Sequence, residues 1–587
     1  MYFCNQIIIT MEAKKYKRLP YGISDFRRII LENYAYVDKT MYIEMLENET
    51  NPNQFFIRPR KFGKSLFFMT LSYYYDLNHA DEFDTLFGDL YIGKHPTPER
   101  NMYAVLKFDF SGLDTASEEG FVKSFSEKVQ DTVRNFFRIY GHIFPEADKY
   151  VNQIDDDHPG IAALQKVFSA ASQNNVKLFF IIDEYDHFAN DLIAMGSQIG
   201  KNLYKAMVAA NGIVRDFYER VKDGAKSSLV NRTFITGISP VMLDDLTSGY
   251  NIATVLTLEP QYNEMMGFTQ EEAEWLMRET GVEEKYINID MQAYYNGYLF
   301  HKDGAHRVYN PAMMLYFFEQ IIRRQQPPEH IIDLNLRTDY GRLQKLTQND
   351  SNRATLLKIV KEDSIISDIL QKFSIDMLND DDYFVSLLFY MGLLTIDKEE
   401  YGTLRLKIPN YSIKTLYWEY IARLTKANNE NVLIDFSTMK IAVRELAYCG
   451  NPTLFLDYMS NNIISRLSNR DLENFDEKYL KIILLNNLFQ SLLYVPITEM
   501  EVSTGYTDIW LKRSPLLPEI PWEWVWEIKY VKKSNAKSVK EARKEASAQL
   551  EKYRQSHLFA GRTDVRYLSV IFIGKDKYEM SEPRQKM

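Results

Sequence analysis

Two stretches of this chain place chemically useful residues at spacings that suggest phosphate chemistry. Phe55–Ser65 reads FFIRPRKFGKS, an apolar run that breaks into a basic turn ending Gly63-Lys64-Ser65. A strand, a tight turn and then a helix (Leu66–Leu71) is the layout in which backbone N–H groups and a helix N-terminus hold phosphates. Lys64 would reach the β- and γ-phosphates, and the Ser65 hydroxyl would meet Mg²⁺. The usual pattern has a glycine where this chain has Arg58. Arg58 and Arg60 either contact phosphate or brace the loop against acids such as Asp38. Lys177–Asp186, KLFFIIDEYD, supplies the other half. Its short aromatic and β-branched run reads as a buried parallel strand with Asp183 and Glu184 at its carboxyl end. Asp183 would hold Mg²⁺, and Glu184 would polarise the attacking water. The plainer alternative is a buried strand ending in a solvated acidic turn. Gly63-Lys64-Ser65 upstream favours an ATP-binding module.

A second constellation lies near the C-terminus. Thr507–Leu511 begins a strand with Asp508 at its start, and a Pro-rich connection (Pro515, Pro518, Pro521) leads to Glu523–Tyr530, EWVWEIKY. Strand alternation puts Trp524, Trp526 and Ile528 on one face and Val525, Glu527 and Lys529 on the other. Asp508 can then sit beside Glu527 across the sheet, which is the PD-(D/E)XK arrangement. Asp508 and Glu527 would bind Mg²⁺ and Lys529 would orient or deprotonate water. The plainer alternative is an amphipathic hairpin with a salt-bridged Glu-Lys pair. The helix Ser538–Tyr553 carries Lys540, Arg543 and Lys544, a solvated face or one turned to a nucleic-acid backbone. Gln549 points from it toward the site.

The elements that position these residues follow a coarse order. Residues 17–265 alternate strand-like runs (Ala104–Phe110, Leu178–Ile182, Thr233–Ile238) with helical patterns, as βαβ units around a parallel sheet do. Thr269 and Glu272 form a capping box that opens a helical stretch ending near Asn310-Pro311, a lid over the nucleotide. The expected domains are an extension over 1–16, a P-loop core over 17–265, a lid over 266–328, a helical middle region over 329–470 and an α/β nuclease-like domain over 471–587. Pro327-Pro328 marks the break after the lid. Met11 offers a second start, which would make residues 1–10 an extension.

Composition bounds the rest. A chain of 587 residues buries two or three cores. Cys4 and Cys449 are its two cysteines, too few for a disulfide framework or a cysteine zinc site, and they fit a cytoplasmic protein. No run reaches the length of a spanning helix, so no membrane partner is expected. A net charge of −10 argues against wrapping of nucleic acid by the whole protein and confines that role to the C-terminal domain. The composition leaves a homo-oligomer open. His187, His301 and His306 have no partner at ligand spacing and read as structural or surface residues.

Both halves resemble known families. Leu19-Pro20-Tyr21-Gly22, Tyr36–Thr40, Phe56–Ser65, Ile182–Asp186, Thr236-Gly237-Ile238-Ser239, Gly267-Phe268-Thr269, Tyr295–Tyr298 and Tyr309-Asn310-Pro311 resemble the AAA-ATPase-like domain of a large family of uncharacterised bacterial proteins. That family carries Arg where the first P-loop glycine would stand. Thr236 and Ser239 follow a strand next to the acidic one, where the resemblance implies a sensor of the γ-phosphate. Members typically end in a PD-(D/E)XK nuclease-like domain, which residues 471–587 resemble. The early helical Glu of that domain aligns here with Asn486, which would remove one metal-side acid. The implied function is an ATP-binding protein, an ATPase, coupled to a Mg²⁺-dependent DNA nuclease. ATP would reposition the helical region and regulate access of DNA. The rival is a nucleotide-gated nucleic-acid-binding or regulatory protein with an inactive nuclease fold, and a third reading is an ATPase switch acting on protein partners.

Overall fold

The computed structural model describes residues 16–583, except 155–159, 196–197, 210, 243–244, 246–249, 285–286, 288–289, 326–327, 329–331, 333–342, 344–345, 348, 373–380, 429–434, 467–476, 490–492, 503–504, 515–516, 533–535 and 576. The expected extension over 1–10 and Pro327 fall outside the described residues. The chain forms two compact units: one runs to residue 353 and adds 366–410, the other comprises 354–365 and 411–587.

The first unit is built on five parallel strands: β1 (Asn53–Ile57), β2 (Tyr103–Asp109), β3 (Lys177–Asp183), β4 (Val230–Gly237) and β5 (Thr254–Val255). Their order is β2-β3-β4-β1-β5. A parallel sheet covered by helices on both faces buries every side chain of its inner strands. The FFI run of β1 and the LFFII run of β3 are accordingly buried throughout. Helix α1 (Lys64–Tyr75) follows β1 directly, and Gly63 takes φ +96° at its N-cap, a backbone conformation open to glycine. Helix α2 (Glu118–Tyr140) starts at Ser117, whose hydroxyl accepts from Gly120 N. Its stripe of Phe121, Phe125, Val129 and Val133 is buried, with Phe125 stacked on Phe110 just beyond β2. Helix α3 (His187–Met195) follows β3, and α4 (Ile213–Lys226) sets Phe217 against Phe108 and Phe110. The register pairs Phe56 with Thr236 and Asp109 with Asp183, so the carboxyl ends of the strands come level.

Helix α5 (Gln270–Thr280) carries the expected capping box between Thr269 and Glu272. Asn310-Pro311 opens a further helix, α6 (Pro311–Arg324), where the sequence had suggested an end. Asn310 accepts from Ala312 N and Met313 N, and Pro311 takes the first turn, where its missing N–H costs nothing. The middle region, expected to be mostly helical, also contains strands. Strands β6 (Thr395–Glu400) and β7 (Thr403–Lys407) form an antiparallel hairpin. Its tip, Tyr401-Gly402, has two positive φ angles, the geometry that closes a two-residue hairpin.

The second unit holds helix α7 (Glu477–Phe489), strands β8 (Tyr494–Val502), β9 (Gly505–Arg513) and β10 (Glu523–Val531), helix α8 (Ala536–Arg554), and strands β11 (Val565–Ile573) and β12 (Lys577–Ser581). The sheet runs β12-β11-β10-β9-β8. Strands β10 and β11 are parallel and joined through α8, whereas the other pairs are antiparallel. Strands β8 and β12 form the sheet's edges. Pro496 is tolerated in β8 because that strand lies at the edge of the sheet. Both faces of β10 are covered. Val525 packs with Trp510, Leu550, Tyr553 and Phe559, while Trp524 donates to Leu446 O on the other side.

Candidate functional site

At the carboxyl ends of β1 and β3 lies a cleft of about 810 Å³. Arg60, Gly63, Lys64, Ser65, Asp183 and Glu184 all line it. Lys64 is buried, and its ammonium donates to Arg58 O and Pro59 O, each at 2.9 Å, so it folds back across its own loop. Burial lowers its pKa against the pull of Glu184 and Asp183. The Ser65 hydroxyl donates to Asp183 Oδ2 at 2.9 Å, which sets two hard oxygen donors side by side. That donor pair suits Mg²⁺. Burial pushes the Asp183 carboxyl up to about 6, with the Lys64 charge opposing.

Glu184 sits at φ +53°, immediately after the strand. Burial alone would raise its carboxyl, but a hydrogen bond from His187, with the charges of Lys64, His187 and Arg60, holds it down at about 2. His187 therefore has a role that the sequence reading did not give it. Its Nδ1 lies 3.2 Å from Glu184 Oε2 and its Nε2 3.4 Å from Asp191. The signal was the three-residue spacing of Glu184 and His187 at the start of a helix. His306 Nδ1 lies 2.8 Å from Glu264, and His301 Nδ1 accepts from Asp303 N, so these two make local contacts. Asp109, the last residue of β2, and Ser111, just beyond it, also line the cleft.

Two of the expected nucleotide contacts face elsewhere. Arg58 is 1% exposed and its guanidinium donates to Ile57 O, Thr257 O and Tyr262 O, between the rings of Phe56 and Phe300. It braces the loop through carbonyls and aromatic faces, and Asp38 is instead satisfied by Thr40 and Tyr91 N. Thr236 is fully buried and its hydroxyl donates to Phe56 O, tying β4 to β1. Asp186 completes the framework. Its buried carboxylate accepts from Ile238 N, Ser239 N, the Ser239 hydroxyl and Asn190, which pins the turn after β3 to the end of β4.

In the second unit, Ile509 pairs with Trp526, so Asp508 and Glu527 are the next residues along two antiparallel strands and share a face. Lys529, two residues on, joins them: its ammonium lies 2.9 Å from Glu527 Oε1. Burial, with Asp508 nearby, raises the Glu527 carboxyl. Burial would lower Lys529, but Glu527, then Glu477 and Asp508, reverse this and raise it. Tyr553 on α8 donates to Glu527 Oε2 at 2.8 Å. Asp508 accepts Ile528 N at 2.8 Å and the Lys481 ammonium at 2.5 Å.

Helix α7 brings a further acid to the site. Glu477, in its first turn, lies 3.4 Å from both Lys529 and Lys481. An early helical acid is thus present at the site; the side chain of Asn486, the position aligned with such an acid on sequence, lies outside the described residues. The oxygen donors of Asp508 and Glu527 fit Mg²⁺ by their chemistry. Among the described residues, no three His, Cys, Asp or Glu side chains already surround a metal position. On α8, Lys540, Arg543 and Lys544 are exposed, and Arg543 pairs with Glu579. No helix among the described residues is long and apolar enough to cross a membrane.

Comparison with known proteins agrees with this division. Residues 20–247 match a family described as predicted AAA-ATPase, and residues 475–582 match the PD-(D/E)XK nuclease superfamily. An uncharacterised protein from the vnfD 5′ region of Azotobacter chroococcum mcd 1 is 24% identical over 428 residues, covering 68% of each chain. Among solved structures, a Walker-type ATPase of Pyrococcus abyssi is 14% identical with TM-score 0.37, covering 65% of this chain and 94% of that one. The ORC2 protein of Aeropyrum pernix is 11% identical with TM-score 0.35, covering 68% and 98%. Likenesses this distant carry no argument about activity. On the family matches and the fold together, the chain joins a domain of the predicted AAA-ATPase family to a domain of the PD-(D/E)XK nuclease superfamily.

Proposed function

We propose that this protein binds and hydrolyses ATP in the first unit and that its second unit is a Mg²⁺-dependent DNA nuclease whose action the nucleotide regulates. The observation that carries the reading is the meeting of Asp508, Glu527 and Lys529 with Glu477, four residues from three elements of one domain. On the nucleotide side, Lys64 leaves the carbonyls of Arg58 and Pro59 for phosphate oxygens, which are stronger acceptors for an ammonium. Glu184 stays ionised and, positioned by His187, accepts a hydrogen bond from the water that attacks. Ser65 and Asp183 would hold Mg²⁺ here.

In the nuclease site Asp508 and Glu527 would hold the metal, which supplies charge stabilisation at the scissile phosphate and a more acidic bound water. Lys529 orients the water and donates to the developing charge. Tyr553 fixes the Glu527 carboxylate, and the exposed Lys540 and Lys544 of α8 attract the DNA backbone. We place the protein in the cytoplasm, without a membrane partner.

The test is cleavage of linear, circular and single-stranded DNA with Mg²⁺ or Mn²⁺, with and without ATP. Cleavage lost in Lys529→Ala and altered in Lys64→Ala supports an ATP-regulated nuclease. One observation favours the rival, a nucleotide-gated nucleic-acid-binding protein: the Lys481 ammonium occupies Asp508. That rival predicts salt-sensitive DNA binding that survives Asp508→Ala, with no cleavage by the wild type under any metal.

A further inference from the structure

Each carboxylate oxygen of Asp508 and Glu527 already has a donor. Asp508 Oδ2 takes Ile528 N and Oδ1 takes Lys481; Glu527 Oε2 takes Tyr553 and Oε1 takes Lys529. A carboxylate oxygen can accept a hydrogen bond and still ligate a metal, but the Lys481 ammonium, 2.5 Å from Asp508 Oδ1, puts a positive charge where a divalent cation would approach, so the ammonium must give way when the cation binds. Ile528 N belongs to a strand paired along its length with β11, and Tyr553 is 1% exposed within the core. Neither can move cheaply. The lysines are long and flexible, and Lys481 has somewhere to go: its ammonium is 3.4 Å from Glu477 Oε1, one turn earlier on the same helix.

We propose that Lys481 is the resident counter-ion of the metal site: it neutralises Asp508 in the metal-free protein and shifts to Glu477 when a divalent cation takes its place. This rests on the nuclease reading above. Three carboxylates face two ammonium groups here, and a buried acid left unpaired is costly. With Lys481 on Asp508, the metal-free site keeps its charges paired. The consequence is that the cation competes with an internal one, so the protein binds metal more weakly than its carboxylates alone would. Glu477 lowers that barrier by receiving the displaced ammonium. Lys481 thereby sets how much divalent cation the site requires.

The experiment is Mn²⁺ binding to the full chain, read by the electron paramagnetic resonance of free Mn²⁺, in wild type and in Asp508→Asn, Lys481→Met, Lys481→Gln, Glu477→Gln and the Lys481→Met/Glu477→Gln pair. Both Lys481 variants should bind Mn²⁺ about tenfold or more tightly than wild type, the scale on which one neighbouring charge moves an ionic equilibrium. Glu477→Gln should weaken binding in the wild type and leave Lys481→Met unchanged, because no ammonium then needs a second partner. If Glu477→Gln weakens binding equally in both backgrounds, Glu477 is a ligand and the relay to it is wrong. Unchanged or weaker binding in both Lys481 variants, each with wild-type thermal unfolding, overturns the proposal. The nuclease reading survives that result if Asp508→Asn abolishes binding. Absence of an Mn²⁺ site from wild type and Lys481 variants alike overturns both.

Discussion

The two sites of this chain use the same residue types in opposite arrangements. In the first unit Lys64 is bonded to backbone carbonyls, while Asp183 and Glu184 are held by Ser65, a backbone N–H and His187. Lysine and carboxylates line one cleft without neutralising each other by contact. In the second unit Lys529 contacts Glu527 and Glu477, and Lys481 contacts Asp508 and Glu477. There every ammonium lies against a carboxylate. A site meant for an anion keeps its lysine free of acids and lets weak acceptors hold it, so phosphate can replace carbonyl. A site meant for a cation can store a cation of its own, which the ligand then replaces.

The largest expected effects test this contrast directly. Lys529→Ala should cut DNA cleavage by about 10²- to 10⁴-fold, the weight of a positioned proton-transfer or orienting group. It also leaves Glu527 without its closest countercharge, so metal affinity should change as well as rate. Lys64→Ala should cut ATP hydrolysis by about 10²- to 10³-fold, as loss of one charge-stabilising donor does. Its nucleotide-free thermal stability should change little, because only two carbonyl contacts are lost. A large stability loss in Lys64→Ala would break the contrast, since it would show Lys64 bound to its surroundings as firmly as Lys529 is to Glu527.

Next in size is Asp186→Ala. Its carboxylate accepts two backbone N–H groups, a hydroxyl and an amide in the buried turn between β3 and β4. Removing it strands several donors at once and should cost about 3 kcal/mol. The readout is the thermal transition that nucleotide shifts upward. An unchanged transition would show that the ends of β3 and β4 are held by packing alone.

The pH dependence sharpens the difference between Asp183 and Glu184. Asp183 is raised to about 6 and Glu184 lowered to about 2, so as pH falls through about 6 Asp183 takes up a proton while Glu184 stays ionised. Mg²⁺-dependent nucleotide binding should fall about tenfold for each pH unit below that of Asp183. Stability without ligand runs the other way. A carboxyl raised above its ordinary 3.8 binds its proton better in the folded state, so this group stabilises the fold as pH falls through about 6. Titration with a fluorescent ATP analogue, with and without Mg²⁺, separates the two. Binding that declines equally without Mg²⁺ would remove Asp183 from the metal.

What the sequence disclosed and what it hid divide along a physical line. Gly63-Lys64-Ser65 and Asp183-Glu184 are contiguous, and their neighbours dictate strand and turn, so their meeting at the carboxyl edge of a parallel sheet was legible. So was the pairing of Asp508 with Glu527 and Lys529, because strand alternation assigns faces. The direction of Arg58 was not. A guanidinium beside a basic turn looks like a phosphate ligand until the carbonyls of Thr257 and Tyr262, some two hundred positions away, are seen to receive it. Glu477 and Lys481 were hidden for a related reason. On a helix, charges four apart read as a solvated face, and only the fold shows that this face looks into a sheet. The β6–β7 hairpin escaped because its strands are largely charged and its turn signal, Tyr401-Gly402, is weak.

The smallest effect worth measuring is that of Tyr553→Phe, because it probes the closed network without touching a lysine. The ring lies in the core with Trp510, Val525, Leu550 and Phe559, so phenylalanine keeps the packing and removes one hydroxyl. That hydroxyl donates to Glu527 Oε2, and its loss should cost about 1.5–3 kcal/mol, the net value of a hydrogen bond to a charged group. It also favours the ionised form of Glu527 against burial and the nearby Asp508, so the carboxyl should rise further in the variant. Cleavage should therefore fall by about tenfold near neutral pH and recover at higher pH, where Glu527 ionises regardless. A uniform loss at every pH would assign Tyr553 to holding the shape of the site. Recovery on the alkaline side would show that it acts through the charge of Glu527, as a network of paired ions requires and an open cleft does not.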